Sequence, residues 1–283
     1  MKHFLFIFVF LLSPLFISAQ VTSGQSNEDI QSVKETLSEE EQQLVDSVTN
    51  FLLEQTLVYV VDSLQGCGMY MKALDTVNQA MDYLQKERGT NPTIRMYVSK
   101  AQILMRLEEW ESLIENCDEC LLLYKDDTNK IVEIYLPLIY KMKGHGCKYA
   151  KIYKDAIVSY ENALFYYTRD NSIDNQGDVY YSMASCYDLL GKNSIASSFY
   201  NKGFDKYLEY FNVSRTGLLK SNLEETDDLR KTNLDLFSCH LYEMAVREQD
   251  MGNRRASQEY LLMSAHCGYE QAISEYNRIY GRY

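Results

Sequence analysis

Four places in this chain set reactive side chains at spacings that chemistry uses. Cys117-Asp-Glu-Cys120 is a CxxC, the spacing of thiol–disulfide exchange. Cys239-His240 and His266-Cys267 together could offer two thiols and two imidazoles to a zinc ion. His145, in Gly144-His-Gly146, could act as a general base in a Ser–His–Asp or Cys–His set. Each meets a local objection. A redox CxxC usually opens a helix, where the dipole lowers the thiol pKa. Cys117 and Cys120 instead fall in the middle of a predicted helix, at positions that face its partner, where Cys serves as a small apolar residue. Cys147 and Cys186 also fall at helix–helix positions. Neighbouring residues on a helix point about 100° apart, so the two members of a Cys–His pair do not converge on one metal. No local motif accompanies His145, His240 or His266, and there is neither a phosphate loop nor a dinucleotide fingerprint. The reading is a non-enzymatic chain with no metal and no cofactor.

The elements that would hold these residues are announced by a rhythm of small and large side chains. Ala73, Val77 and Ala80 recur as Leu113, Cys117 and Cys120, then as Ala156, Tyr160 and Ala163, as Ala196, Tyr200 and Gly203, and as Ala256, Tyr260 and Met263. Successive starts are 40, 43, 40 and 60 residues apart. Two antiparallel helices approach closely only where side chains are small, and large residues one turn away fill the grooves beside them. One such hairpin cannot bury both faces, so hairpins stack, and spacing of this kind marks a repeat array. Three prolines and 13 glycines in 283 residues favour long helices with short connections. The 24 tyrosines suit helix surfaces that are packed yet partly wet.

The fourth unit resembles a tetratricopeptide repeat (TPR). From Gly177 it carries Tyr180, Ala184, Tyr187, Gly191, Ala196, Tyr200 and Gly203, a large or small residue at each place the pattern asks for one. Units from Glu54 (Gly68, Tyr70, Ala73, Ala80), Ile94 (Tyr97, Ala101, Leu104, Trp110) and Pro137 (Tyr140, Gly144, Ala156, Ala163) match in part. In the last unit Gly252 precedes Ala256 by four residues, and Ala265, Gly268 and Ala272 follow, which resembles the Sel-type variant. The resemblance implies an all-α, right-handed superhelical solenoid of about five stacked helix hairpins within residues 38–283. The repeats lie near 54–87, 94–127, 137–170, 177–210 and 238–272, with an insertion at 211–236. Residues Leu223 to Leu236 are expected to be helical, Asn212 to Thr216 to form a loop, and 88–92 and 169–175 to be turn-rich connections.

Residues 1–19 form a secretory signal peptide. Lys2 supplies the charge, Phe4 to Leu12 the apolar run, and Ile17-Ser18-Ala19 the cleavage site. An uncleaved anchor helix is the other reading, disfavoured by Pro14 and the short run. Residues 20–37 read as a polar linker, and Ser38 with Glu41 as a capping box. The leader implies export to the periplasm or exterior, and its style suggests a bacterium. Seven cysteines remain after cleavage, an odd number that does not look like a disulfide framework. The formal charge of -12 argues against nucleic acid and anionic lipid as partners. No later segment is long and apolar enough to span a membrane, so no stable insertion is expected once the leader is removed.

In the resembled family the first helix of each hairpin lines a concave surface that takes extended peptides. Carried over, that row holds Tyr59 and Asp62; Arg95, Ser99, Gln102 and Arg106; Lys141, His145, Lys148 and Tyr149; and Asp178, Tyr181, Ser185 and Asp188, with Tyr242 as an extension. Arg95, Arg106, Lys141 and Lys148 suggest a locally basic centre for an acidic or C-terminal segment of a partner protein or peptide. The Lys/Asn clamp of chaperone-binding members is not reproduced. The alternative is a structural subunit of a cell-envelope assembly that binds through its outer flanks, with Leu229, Leu234, Leu236 and Phe237 as an interface.

Overall fold

The computed structural model describes residues 58–87, 89–225 and 227–281, and every regular element among them is a helix. The signal peptide, the linker, the capping box and the start of the first repeat lie outside the described residues. Residues 58–66 are helical. They precede α1 (Tyr70–Glu87), α2 (Ile94–Arg106), α3 (Trp110–Tyr124), α4 (Lys130–Tyr149), α5 (Tyr153–Arg169), α6 (Ile173–Leu189) and α7 (Asn193–Phe211). A short α8 (Arg215–Leu218) leads to α9 (Asp228–Asp250), α10 (Arg254–His266) and α11 (Glu270–Tyr280).

One turn is used again and again. Residue 68, 108, 151, 171, 191, 252 or 268 has a left-handed backbone, and a helix starts two residues later each time. The next amide closes a six-to-one bond back into the preceding helix, as Lys192 N does to Tyr187 O at 2.8 Å and Ile152 N to Cys147 O at 2.8 Å. Gly191 adopts this conformation freely. Glu108 and Lys151 hold it with side chains in place, at φ 58 and 65. The residue that marks each second helix, small except for Leu113, falls at the fourth position of α1, α3, α5 and α7 and at the third of α10. The shorter spacing after Gly252 therefore shifts the helix start by one residue.

The chain divides into two compact units, Met1–Ser99 and Lys100–Tyr283, a division that falls inside α2. In the first, Val61, Ala73, Val77, Met81 and Leu84 are buried. In the second, consecutive helices pack as antiparallel neighbours from α3 to α7 and again from α9 to α11. α6 touches α4 and α9 as well as α5 and α7, so the first helices of three pairs lie side by side.

α6 and α7 approach closely at two glycines. A Cβ on Gly177 would meet the Tyr207 ring at 2.9 Å, and a Cβ on Gly203 would meet the Tyr181 ring at 2.8 Å and Gly177 O at 3.1 Å. Each helix thus offers a glycine to a tyrosine four residues past the other's glycine. Gly144 repeats the device under Tyr160, with 2.6 Å to the ring.

Three expectations change. Residues 169–175 are not a loop: α6 starts at Ile173 and leaves a three-residue turn, 170–172. α4 begins at Lys130, capped by Asn129 Oδ1 accepting from Ile131 N at 2.9 Å, seven residues ahead of Pro137. The helix expected from Leu223 begins at Asp228, where Asp227 caps the Arg230 amide, and it runs unbroken to Asp250. The insertion therefore ends inside the first helix of the last pair. Its loop part is a packed strap. Leu218 is buried, its carbonyl accepts from His266 Nδ1 at 2.7 Å, and Leu223 N donates to His266 O at 2.9 Å. Arg215 lies over the Phe204 and Tyr260 rings and pairs with Glu259.

Gly203→Ala should lower stability by about 1–2 kcal/mol in urea denaturation. Overpacking against Tyr181 and backbone costs about 1–3 kcal/mol and outweighs a helix-propensity gain of about 1 kcal/mol.

Candidate functional site

Where α4, α6 and α9 lie together, the inner row is a chain of charge pairs. Lys141 Nζ of α4 is 2.5 Å from Asp178 Oδ2 of α6. Asp178 Oδ1 is 3.3 Å from His240 Nε2 of α9, and His240 Nδ1 is 3.4 Å from Glu243 Oε2. The His240 ring lies nearly parallel on Tyr181, with centroids 4.2 Å apart. At the far end of α6, Asp188 takes Arg247 Nε at 2.6 Å and Nη2 at 3.2 Å. That guanidinium also donates to Ser197 Oγ and Asn193 O and stands over the Tyr200 ring.

Burial works against charge here, and pairing overcomes it. Burial would raise the Asp178 pKa, yet Lys141 and His240 hold the carboxyl far below its ordinary range. Burial would lower the Lys141 pKa, yet Asp178 raises it. His145 lacks such a carboxylate contact. Burial first, then Lys141 and Lys148, hold its pKa down to about 4, so it is neutral, and its Nδ1 meets Tyr160 Oη at 3.0 Å.

These positions revise the expected row. Lys141 is no free cation: it is spent on Asp178. Tyr181 is fully buried under His240, so it anchors the fold and offers no exposed ring. Asp188 is bound by Arg247. Tyr242 donates its hydroxyl to Glu275 of α11 at 2.8 Å and accepts from Gln271. Lys148, Tyr149, Ser185 and Leu189 keep partial exposure on α4 and α6, and Glu243 and Val246 do so on α9. Gln102 and Arg106 are exposed on α2. Tyr59, Asp62, Arg95 and Ser99 belong to the first unit; Tyr59 and Asp62 are exposed, Arg95 is half-buried and Ser99 is buried. A basic centre is therefore not formed by Lys141, and His240, Glu243 and Arg247 are contacts the sequence reading missed.

The thiols behave as packing residues. Cys117, Cys120, Cys147, Cys186 and Cys267 are buried, and all seven cysteines are unpaired. Burial pushes the Cys120 and Cys267 pKa up to about 12, Cys186 to about 11, and Cys117 higher still. Cys239 and His240 do point apart, one toward Tyr269 and the other toward Asp178. Of the flank leucines, Leu234 is in the core with Phe237, while Leu229 and Leu236 stay exposed. Among the described residues no helix is long and apolar enough to cross a membrane.

No family model matches the sequence, and no curated protein does. Among solved structures, the chain is similar to the crystal structure of BtubC (BKLC) from P. vanneervenii, with TM-score 0.58 and 15% identity over 87% of this chain and 94% of that one. At that identity the likeness shows the fold alone: a helical-repeat architecture.

The His145 contribution has a definite sign. A folded pKa depressed to about 4 gives stability that is present above the unfolded value near 6.5 and lost as pH falls toward 4. His145→Gln should flatten this acid-side loss in denaturation midpoints between about pH 6.5 and about pH 4.

Proposed function

We propose that this chain is an exported, non-enzymatic interaction scaffold built from TPR-type repeats, and that it holds a partner protein or peptide along its first helices. The observation that carries the reading is the alignment of α4, α6 and α9. Asp178 and Asp188 are paired with Lys141, His240 and Arg247, while Lys148, Tyr149, Ser185, Leu189, Glu243 and Val246 remain partly open. Tyr149 and Leu189 close their helices at the same place before the same turn, and Tyr149 is braced by Trp110 at 4.5 Å. Such a row offers preset aromatic and aliphatic anchors, which carry most of the energy in helical-repeat recognition of peptides. The raised thiol pKa values support a role for the cysteines in packing rather than in nucleophilic chemistry. The leader peptide read in the sequence supports export to the periplasm or exterior.

A second reading has its own observation. On α5, Phe165 is 66% exposed and Val158 is 55% exposed. An open depression there is lined by Glu161, Leu164, Phe165, Thr168 and Arg169. This outer face suits a subunit of a larger envelope assembly.

Affinity capture separates the two. Bait made of residues 20–283 should lose its specific partner on Tyr149→Ala with Leu189→Ala and keep it on Phe165→Ala. Loss on Phe165→Ala alone would transfer the function to the outer face, and capture unaffected by either would remove both surfaces.

A further inference from the structure

His240 stands where three first helices meet, and every group around it bears on its proton. From α6, Asp178 Oδ1 lies 3.3 Å from Nε2, and the Tyr181 ring covers one face. From its own helix, Glu243 Oε2 lies 3.4 Å from Nδ1. From α7, the Tyr207 ring is 6.2 Å away. From α4 come Lys141, which takes the other Asp178 oxygen, and His145 and Lys148 farther out; Asp174 flanks Lys141.

A carboxylate oxygen can only accept a hydrogen bond. A ring nitrogen that bonds to one must carry hydrogen, and in His240 both nitrogens face a carboxylate. A neutral imidazole has a single N–H, so one carboxylate would then face a lone pair. We propose that His240 is a proton-operated latch between α6 and α9: the doubly protonated ring bridges Asp178 to Glu243, and loss of one proton opens that bridge.

The surroundings agree with the geometry. Burial favours the neutral ring, but hydrogen bonds to Asp178 and Glu243, and the charges of both, outweigh it, and the His240 pKa lies above its ordinary value. A folded pKa that is raised contributes stability fully present below the unfolded value, near 6.5, and lost as pH rises through the folded one. His145 is neutral throughout that window. Arg247 stays charged across it and keeps its contact with Asp188, so the seam between α6 and α9 drops from two ionic ties to one. α9 also carries Glu243 and Val246, and the latch therefore sets how firmly the open part of α9 is held beside α6. This goes beyond the scaffold reading and stands whatever the partner is.

Two measurements on the full chain test it. Nitrogen-15 spectra of the histidine rings, with His240 assigned by its loss in His240→Gln, should show both nitrogens protonated at about pH 6.5 and a midpoint above that. A neutral tautomer at about pH 6 would overturn the latch, and this readout needs only the native chain to fold. Urea midpoints should fall more steeply for the native chain than for His240→Gln, which keeps a donor for Asp178, between about pH 6 and about pH 8, below the range where the buried thiols lower both. Parallel falls in both would also overturn it.

Discussion

The distance between α6 and α7 governs the second unit. With glycine at 177 and 203, the two backbones come close enough for Tyr181 and Tyr207 to lie flat across the opposite helix. Those rings then turn their outer faces to α9. His240 stacks on Tyr181 at 4.2 Å, and Phe237 stacks on Tyr207 at 4.8 Å. A larger residue at either glycine would lift a ring, and the platform for the last pair would move with it. Both tyrosine hydroxyls are buried without a protein partner, a cost of about 1–3 kcal/mol each by the usual measure. The flat ring contact is thus kept in spite of its polar tip.

The charged seam is built on that platform. α6 is acidic at both ends of its inner face, with Asp178 and Asp188; α9 answers with His240 and Arg247. Replacing either partner alone would strand a buried charge. The seam joins first helices that are not consecutive along the chain, in an array whose other contacts run mostly between sequence neighbours. It therefore couples pairs that would otherwise respond one at a time.

Much of this was legible in the sequence, because helix pairing is local. The small–large rhythm located five second helices, since closeness between consecutive helices depends on residues a few turns apart. Turns marked by Gly68, Gly191 and Gly252 were equally plain, whereas Glu108 and Lys151 hold the same backbone without the glycine that would announce it. The start of α9 was misplaced because Leu223 looks like part of its apolar stripe. Leu223 in fact belongs to the strap and bonds to His266. Face was predictable along the inner row, but partnership was not. Lys141 finds its anion 37 residues away, and Arg247 finds its own 59 residues away, distances that helical periodicity does not encode. His240 was weighed as a metal ligand with Cys239 and as a catalytic base, while Asp178 and Tyr181, which it meets, sit on another helix.

The buried thiols carry a consequence for the lifetime of the fold. Packed as small residues, they are shielded from oxidants for as long as the helices stay closed. Should the chain open in an oxidising medium, those thiols become free to cross-link at separations the native packing does not allow. Refolding would then compete with a chemical trap. In such surroundings the protein would persist according to how seldom it opens, and durability becomes a matter of rate rather than of equilibrium.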